Sequence, residues 1–264
     1  MSTGTPRVAI VSDGSALPAG TDLISTLREV AALISGLARV AARPRAVLSA
    51  DATGLIAAIR ALPPDTGAVL LTRVTPERAR QVRRELRDSD PRPLLTDEDV
   101  TTIALASATS DALPTTWRRR AHGARVVIAG AREMPGLTAL LMASGIADIT
   151  TWNLADAVVF PLHNIVFGAD AVVDLVGALS PDLAGISVIT REDAGKALYA
   201  ASGLLRAAAC ASGLGFDVEV FRACARALSA APPAGRSMPF VKGIALTRLV
   251  ADAATSVFQN QLSR

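Results

Sequence analysis

Short runs of apolar, largely β-branched residues alternate with longer Ala- and Leu-rich amphipathic stretches along most of the chain. This alternation is typical of β-α-β units, in which helices connect the strands of a parallel sheet. The pattern predicts strands at residues 8–11, 46–48, 68–74, 93–95, 125–129, 148–151, 157–160, 171–174 and 186–189. From residue 193 onward only helical patterns remain, so we expect an α/β fold with C-terminal helices.

Local signals place the first helices between these strands. Asp22 and Asp51 stand at N-cap positions, and Pro76 is suited to the first turn of a helix. Helices are predicted to begin at these three residues, the first ending near residue 42 and the second near residue 62. A further helix is predicted over 97–106. Another is predicted after the turn that follows the strand at 125–129, and it ends near residue 144.

The same pattern predicts two lobes, each with its own parallel sheet. A break at residues 107–114 separates two alternating units. We expect a first lobe over residues 1–109, completed by the helices of 193–264. The second lobe, over 110–192, is expected to be Rossmann-like.

Composition excludes several classes of protein. Half of the 264 residues are hydrophobic and 19% are charged, which excludes a disordered chain. No apolar run has the length that spans a membrane, and no signal-peptide pattern is present, so we expect a cytoplasmic protein with no membrane partner. Two cysteines and two histidines offer no zinc-ligand spacing, so no metal site is predicted.

The small positive charge does not indicate a nucleic-acid partner. The densest basic segment, residues 78–87, is interleaved with acidic residues, which is typical of a solvent-exposed helix face with i,i+4 ion pairs. Nucleic-acid surfaces combine a broad basic stripe with stacking aromatics, and aromatic residues make up only 3% of this chain. We therefore expect no nucleic-acid binding.

The most specific local motif is the strand and turn at residues 126–136. Gly130 and Gly136 match the outer glycines of a dinucleotide-binding turn, but Arg132 stands at the middle glycine position. Asn153 stands about where a ribose-binding acid is expected. The four residues are candidates for a degenerate NAD(P) site, in which Arg132 holds a phosphate; the alternative is an ordinary β-α turn.

Several segments in the same order resemble bacterial malic enzymes. They are residues 8–16, residues 67–69 with Pro76 and Arg78 downstream, residues 93–98, the Gly130 turn, and residues 203–206 and 225–228. The resemblance covers residues 7 to 260. It implies a two-lobed α/β fold and an NAD(P)- and Mg²⁺- or Mn²⁺-dependent oxidative decarboxylation of malate. It also implies a homodimer, or a heteromer with an intact paralogue.

The positions that this chemistry requires are largely altered. The resemblance implies three carboxylate metal ligands; two of their positions fall on Thr72 and Arg73, and the third falls on Glu98 beside Asp97. The catalytic-lysine position matches Val30, and valine cannot transfer a proton. The N-terminal segment that carries the family's catalytic tyrosine is expected to be missing.

Three functional hypotheses follow. The first is a malic-enzyme-like pseudoenzyme with a binding, scaffolding or regulatory role, no catalytic residues and no required cofactor. The second is a repurposed, metal-independent enzyme that acts on an unidentified small molecule in the old cleft. Asp97, Glu98 and His163 are its candidate catalytic residues, and it predicts that Arg73 and a histidine lie beside the two carboxylates. The third is residual NAD(P) binding with malate dehydrogenase (decarboxylating) activity.

Overall fold

Two four-stranded parallel sheets form the framework of the protein. The computed structural model describes residues 5–49, 51–113, 123–180, 185–211, 215–230 and 240–263. The strands are β1 (Arg7–Ser12), β2 (Ala41–Ala46), β3 (Thr66–Leu71), β4 (Leu94–Thr96), β5 (Arg125–Ala129), β6 (Asp148–Trp152), β7 (Ala171–Asp174) and β8 (Ser187–Thr190). The strand orders are β2-β1-β3-β4 and β6-β5-β7-β8, and every pairing is parallel. The predicted α/β fold is confirmed.

Helices connect the strands and follow the second sheet. They are α1 (Leu23–Ala38), α2 (Ala52–Arg60), α3 (Pro76–Leu86), α4 (Asp97–Ala112), α5 (Pro135–Ala143), α6 (Leu162–Ile165), α7 (Ala197–Cys210), α8 (Val218–Ser229) and α9 (Phe240–Leu262). Asp22 and Asp51 cap α1 and α2 through their side chains, as predicted. Within the described ranges, none of the helices has both the length and the apolar character that crossing a bilayer requires.

Several predicted elements are wrong. Helix α4 continues to Ala112 instead of ending at residue 106, so residues 107–112 of the expected break are helical. Residues 157–160 form turns rather than a strand, and Val158 is 93% exposed. Helix α1 ends at Ala38 because Arg39 adopts the left-handed conformation and closes the last turn, so β2 starts at Ala41 instead of residue 46. Strand β2 lies at the sheet edge, where its arginines and Pro44 are tolerated, and an apolar pattern does not reveal such a strand.

The C-terminal helices pack against the first sheet. At Gly67 in β3, a Cβ atom would lie 2.8 Å from the Cα of Ala209 in α7, so the backbones approach closely. The Lys196 ammonium, just before α7, donates to the Asp111 carboxylate of α4 at 3.0 Å and to the Leu228 carbonyl of α8 at 2.9 Å. Helix α4, which leads from β4 towards the second sheet, is thereby tied to the C-terminal helices.

Candidate functional site

A small cleft lies where the carboxyl ends of β3 and β4 meet the turn that follows β5. In open parallel sheets, ligands usually bind beyond the carboxyl ends of the strands. The cavity here has a volume of about 150 Å³. It is lined by Leu71, Val74, Pro76, Ala79, Thr96, Asp97, Glu98, Thr101, Glu133, Met134 and Arg191. Asp97 and Glu98, both predicted from the sequence, therefore share one cavity.

A capping box fixes the two carboxylates at the start of α4. The Thr96 hydroxyl accepts a hydrogen bond from the Asp99 amide at 3.3 Å, and the Asp99 carboxylate accepts one from the Thr96 amide at 2.8 Å. Asp97 and Glu98 consequently occupy the first turn of the helix, whose positive end favours negative charge.

The Asp97 side chain holds the loop after β3 through hydrogen bonds. Its carboxylate accepts hydrogen bonds from the Thr72 hydroxyl at 3.1 Å and from the Arg73 amide at 2.7 Å. Burial raises the pKa of Asp97 above its usual value, and these hydrogen bonds offset that effect only in part. Arg73 has a positive φ of 55°, which is uncommon for a residue other than glycine, so Asp97 holds a strained turn.

Glu98 is neutralised by an arginine of α3. The Arg80 Nε donates to the Glu98 Oε2 at 3.0 Å, and the Arg80 Nη2 donates to the Glu133 carbonyl at 3.3 Å. This one guanidinium therefore contacts both walls of the cleft. Glu98 is only 22% exposed at its side chain, so the pair is partly shielded from water.

Two further α3 arginines pair with carboxylates from other elements. Arg78 pairs with Asp13 after β1, whose side chain is fully buried, and Arg83 pairs with Asp99. The sequence interpretation placed these arginines on a solvent-exposed face with pairs inside the helix, and the structure differs. Their partners are distant in the sequence, so helical spacing alone does not identify them.

These contacts do not fit a divalent cation. Mg²⁺ and Mn²⁺ require several free oxygen ligands, whereas Asp97 accepts hydrogen bonds from Thr72 and Arg73, and Arg80 binds Glu98. Among the described residues, no three histidine, cysteine, aspartate or glutamate side chains are grouped so as to hold a metal ion. In the described part of the chain, the carboxylates of this cleft are therefore engaged by hydrogen bonds and an ion pair.

The turn after β5 is likewise closed by its own hydrogen bonds. A dinucleotide pyrophosphate binds to free backbone amides at a helix N-terminus. Here a 3-10 turn, Ala131–Glu133, separates β5 from α5. The amide of Arg132 donates to the Asn153 side chain at 3.1 Å, and those of Glu133 and Met134 donate to carbonyls within the turn. The next residue, Pro135, has no amide hydrogen to offer.

The other predicted cofactor residues have structural roles here. Gly130 has a φ of 85°, and a Cβ there would lie 2.5 Å from a methyl group of Val176. Gly136 lies in α5 with ordinary helical space around it. The Asn153 amide hydrogen bonds to Asp156 in a second capping box. The arrangement is a β-α turn closed by its own hydrogen bonds.

The structure does not bring the remaining candidates into the cleft. His163 lies on the exposed side of α6, and neither it nor Arg73 lines the cavity. Val30 is a partly buried residue of α1 that packs against the main hydrophobic core. The residue that sequence reasoning missed is Arg191, whose Nε donates to the Leu175 carbonyl at 3.2 Å at the cavity wall.

Comparison with known proteins assigns the fold. No family model matches the chain, and no curated protein sequence matches it. Among solved structures, it is similar to an NAD-dependent malic enzyme from Thermotoga maritima, with a TM-score of 0.75 and 16% identity over 94% of this chain and 84% of that one. The malic enzyme from Pyrococcus horikoshii gives a TM-score of 0.74 and 16% identity over 97% and 77% of the two chains.

A third structure agrees with these two. The Entamoeba histolytica malic enzyme gives a TM-score of 0.72 and 14% identity over 97% of this chain and 70% of that one. At such low identities the likeness establishes the architecture alone. The chain therefore has a malic-enzyme-like fold, built around a cleft whose carboxylates are bound by its own side chains and backbone.

Proposed function

We propose that this protein is a malic-enzyme-like pseudoenzyme, a non-catalytic protein with a binding, scaffolding or regulatory role. The observation that carries the proposal is the Arg80–Glu98 pair at 3.0 Å. A guanidinium there satisfies the one carboxylate that remains at the family's metal-ligand positions. A divalent cation would have to displace it and would then lie near a positive charge.

The turn after β5 supports the same proposal. With the amides of residues 132–134 hydrogen bonded internally, a pyrophosphate has few donors to replace its hydration. We therefore propose that the protein needs neither NAD(P) nor a metal ion for its role.

We further propose that the lobes have the boundaries expected from the sequence, 1–109 with 193–264 and 110–192. The contact of α7 with β3 at Gly67 supports the assignment of the C-terminal helices to the first lobe. Helix α4 would then cross from one lobe to the other.

A repurposed metal-independent enzyme is the second candidate. It is favoured by Asp97, a carboxyl group in the cleft whose pKa burial raises, as in many general acids. Against it, no histidine within the described ranges lines the cavity, and His122 lies outside those ranges. The volume of about 150 Å³ is also below the roughly 300–1,000 Å³ of most small-molecule sites. The non-catalytic role is therefore the better supported of the two.

A malate oxidation assay tests the leading proposal. Purified protein is supplied with malate, Mn²⁺ and either NAD⁺ or NADP⁺, and reduced cofactor is followed at 340 nm, the usual absorbance of NAD(P)H. We expect no rate above that of the buffer, because the cleft has neither the ligands for the metal nor the lysine base.

Two variants make the assay specific. Glu98→Gln removes the cleft carboxylate that pairs with Arg80, and Glu77→Gln changes an exposed glutamate of α3 that does not line the cavity. A wild-type rate that Glu98→Gln abolishes and Glu77→Gln preserves would refute the pseudoenzyme proposal.

A further inference from the structure

A second and larger cavity lies between the end of α3, the loop that leads to β4, and the start of α8. Its volume is about 370 Å³, which falls within the usual range for small-molecule sites of roughly 300–1,000 Å³. It is lined by Arg83, Leu86, Arg87, Asp90, Pro91, Arg92, Pro93, Leu94, Gly215, Phe216 and Phe221. It shares no lining residue with the cleft described above.

One wall of this cavity carries three arginines, of which two have internal partners. Arg83 pairs with Asp99, and Arg92 pairs with Asp90. Burial tends to raise the pKa of Asp90, but its hydrogen bonds with Arg92 outweigh this and lower the pKa, so the carboxylate stays ionised. Both pairs are therefore close to neutral, and neither repels an anion strongly.

The third arginine, Arg87, gives this wall of the cavity its net positive charge. Its backbone amide caps α3, and its side chain is exposed and lines the cavity. In the part of the chain that the structure describes, the Arg87 guanidinium has no hydrogen-bond or ion-pair partner. Its donors are available to an anion and suit the planar geometry of a carboxylate.

Another part of the lining is aromatic. The rings of Phe216 and Phe221 are stacked, with centroids 6.3 Å apart and an interplanar angle of 26°. Phe216 also contacts the buried ring of Phe258 in α9, at 6.4 Å between centroids. This backing holds Phe216 in place, so the wall offers a preformed apolar surface to a flat ligand.

We propose that this cavity binds a small aromatic carboxylate, whose carboxylate pairs with Arg87 and whose ring packs against Phe216 and Phe221. The cavity has room for a single ring with a short acidic side chain. Its one unpaired guanidinium matches a singly charged group better than a polyphosphate. The proposal does not depend on whether the cleft at Glu98 is catalytic.

Isothermal titration calorimetry with cinnamate tests the proposal. For a ligand of this size with one ion pair we expect a Kd on the order of 1 mM. Two comparison ligands separate the contributions: cinnamyl alcohol keeps the ring without the charge, and hexanoate keeps the charge without the ring. Each is expected to bind roughly tenfold more weakly, since each lacks one of the two contacts.

Two arginine variants locate the site. Arg87→Gln is expected to weaken cinnamate binding roughly tenfold and to leave cinnamyl alcohol binding unchanged. Arg84→Gln removes a neighbouring exposed arginine of α3 that does not line the cavity, and it should leave both affinities unchanged. Absence of cinnamate binding to the wild-type protein at about 10 mM, or equal affinities for wild type and Arg87→Gln, would overturn the proposal. Malate turnover by the protein would contradict the pseudoenzyme proposal but would not affect this one.

Discussion

Individual side chains determine the charge state of the Glu98 cleft. Arg80 neutralises Glu98, and the Thr72 hydroxyl and the Arg73 amide satisfy Asp97. Each contact uses lone pairs that a metal ion or a substrate would otherwise need. The chemistry of the cleft is therefore limited by these few hydrogen bonds, although the surrounding scaffold is retained.

The buried carboxyl group of Asp97 makes the free energy of unfolding depend on pH. Because burial raises its pKa in the folded protein, its contribution to stability is full below the unfolded value of about 3.8 and is lost as the pH rises through the folded value. The free energy of unfolding of the wild type, relative to Asp97→Asn, should increase as the pH falls from 7 towards 4. Urea unfolding of both proteins at several pH values measures this difference.

The N-cap residue Asp51 provides a control of opposite sign. Hydrogen bonds from the Gly54 amide and its neighbours lower the pKa of Asp51, so its contribution is lost as the pH falls. The advantage of the wild type over Asp51→Asn should stay nearly constant from pH 7 to about pH 5 and shrink as the pH falls below about 4. Equal pH dependence in the wild type and Asp97→Asn would contradict the assigned burial of Asp97.

Residue roles were predictable where the cause is local. Asp22 and Asp51 mark the starts of their helices in the sequence, because an N-cap side chain accepts hydrogen bonds from amides two or three positions away. The partners of Arg78 and Arg80 lie 65 and 18 positions away, and only the packing of β1, α3 and α4 brings them together. The pairing of Glu98 with Arg80 was therefore not visible in the sequence.

At the scale of elements, the two glycines of the β5–α5 connection differ in how far the fold itself requires a glycine. Gly130 is required by its left-handed backbone and by the nearby Val176 methyl group, without reference to any ligand. Gly136 has no such requirement, because the nearest atom to an added Cβ is a Thr102 methyl group at 3.9 Å. A pyrophosphate cradle would need both positions to remain glycine.

The two alanine substitutions should therefore have opposite effects on stability. Gly130→Ala should lower the free energy of unfolding by about 2–3 kcal/mol, from the left-handed conformation and the close contact. Gly136→Ala should raise it by about 0.5–1 kcal/mol, because alanine favours the helix and restricts the unfolded chain. Chemical denaturation followed by circular dichroism measures both; destabilisation by Gly136→Ala would contradict the described turn.

Most strands were predicted to within a few residues, whereas β2 and the turn at residues 157–160 were not. Strands β5 and β7 have the predicted bounds because both lie inside the second sheet and are largely apolar. Strand β2 was misplaced because an edge strand can be polar. The apolar residues 157–160 look like a strand but have no neighbouring strand to pair with in the described sheets.

At the scale of the whole molecule, a malic-enzyme-like architecture surrounds the Glu98 cleft. The two sheets share one strand order, and α7 packs closely against β3 of the first. Such a scaffold depends on the size and pattern of apolar residues, which many sequences satisfy. Metal binding depends instead on a few carboxylates in fixed positions, so the site can be lost while the fold remains.

Manganese binding measured by electron paramagnetic resonance is the most direct test of this central claim. Free Mn²⁺ gives a strong six-line signal that weakens when the ion binds to protein. With the wild-type protein at neutral pH, we predict the same signal as in buffer, because Arg80 and the loop after β3 occupy the available oxygens. A clear loss of signal that Glu98→Gln reverses would show that the cleft still holds the ion.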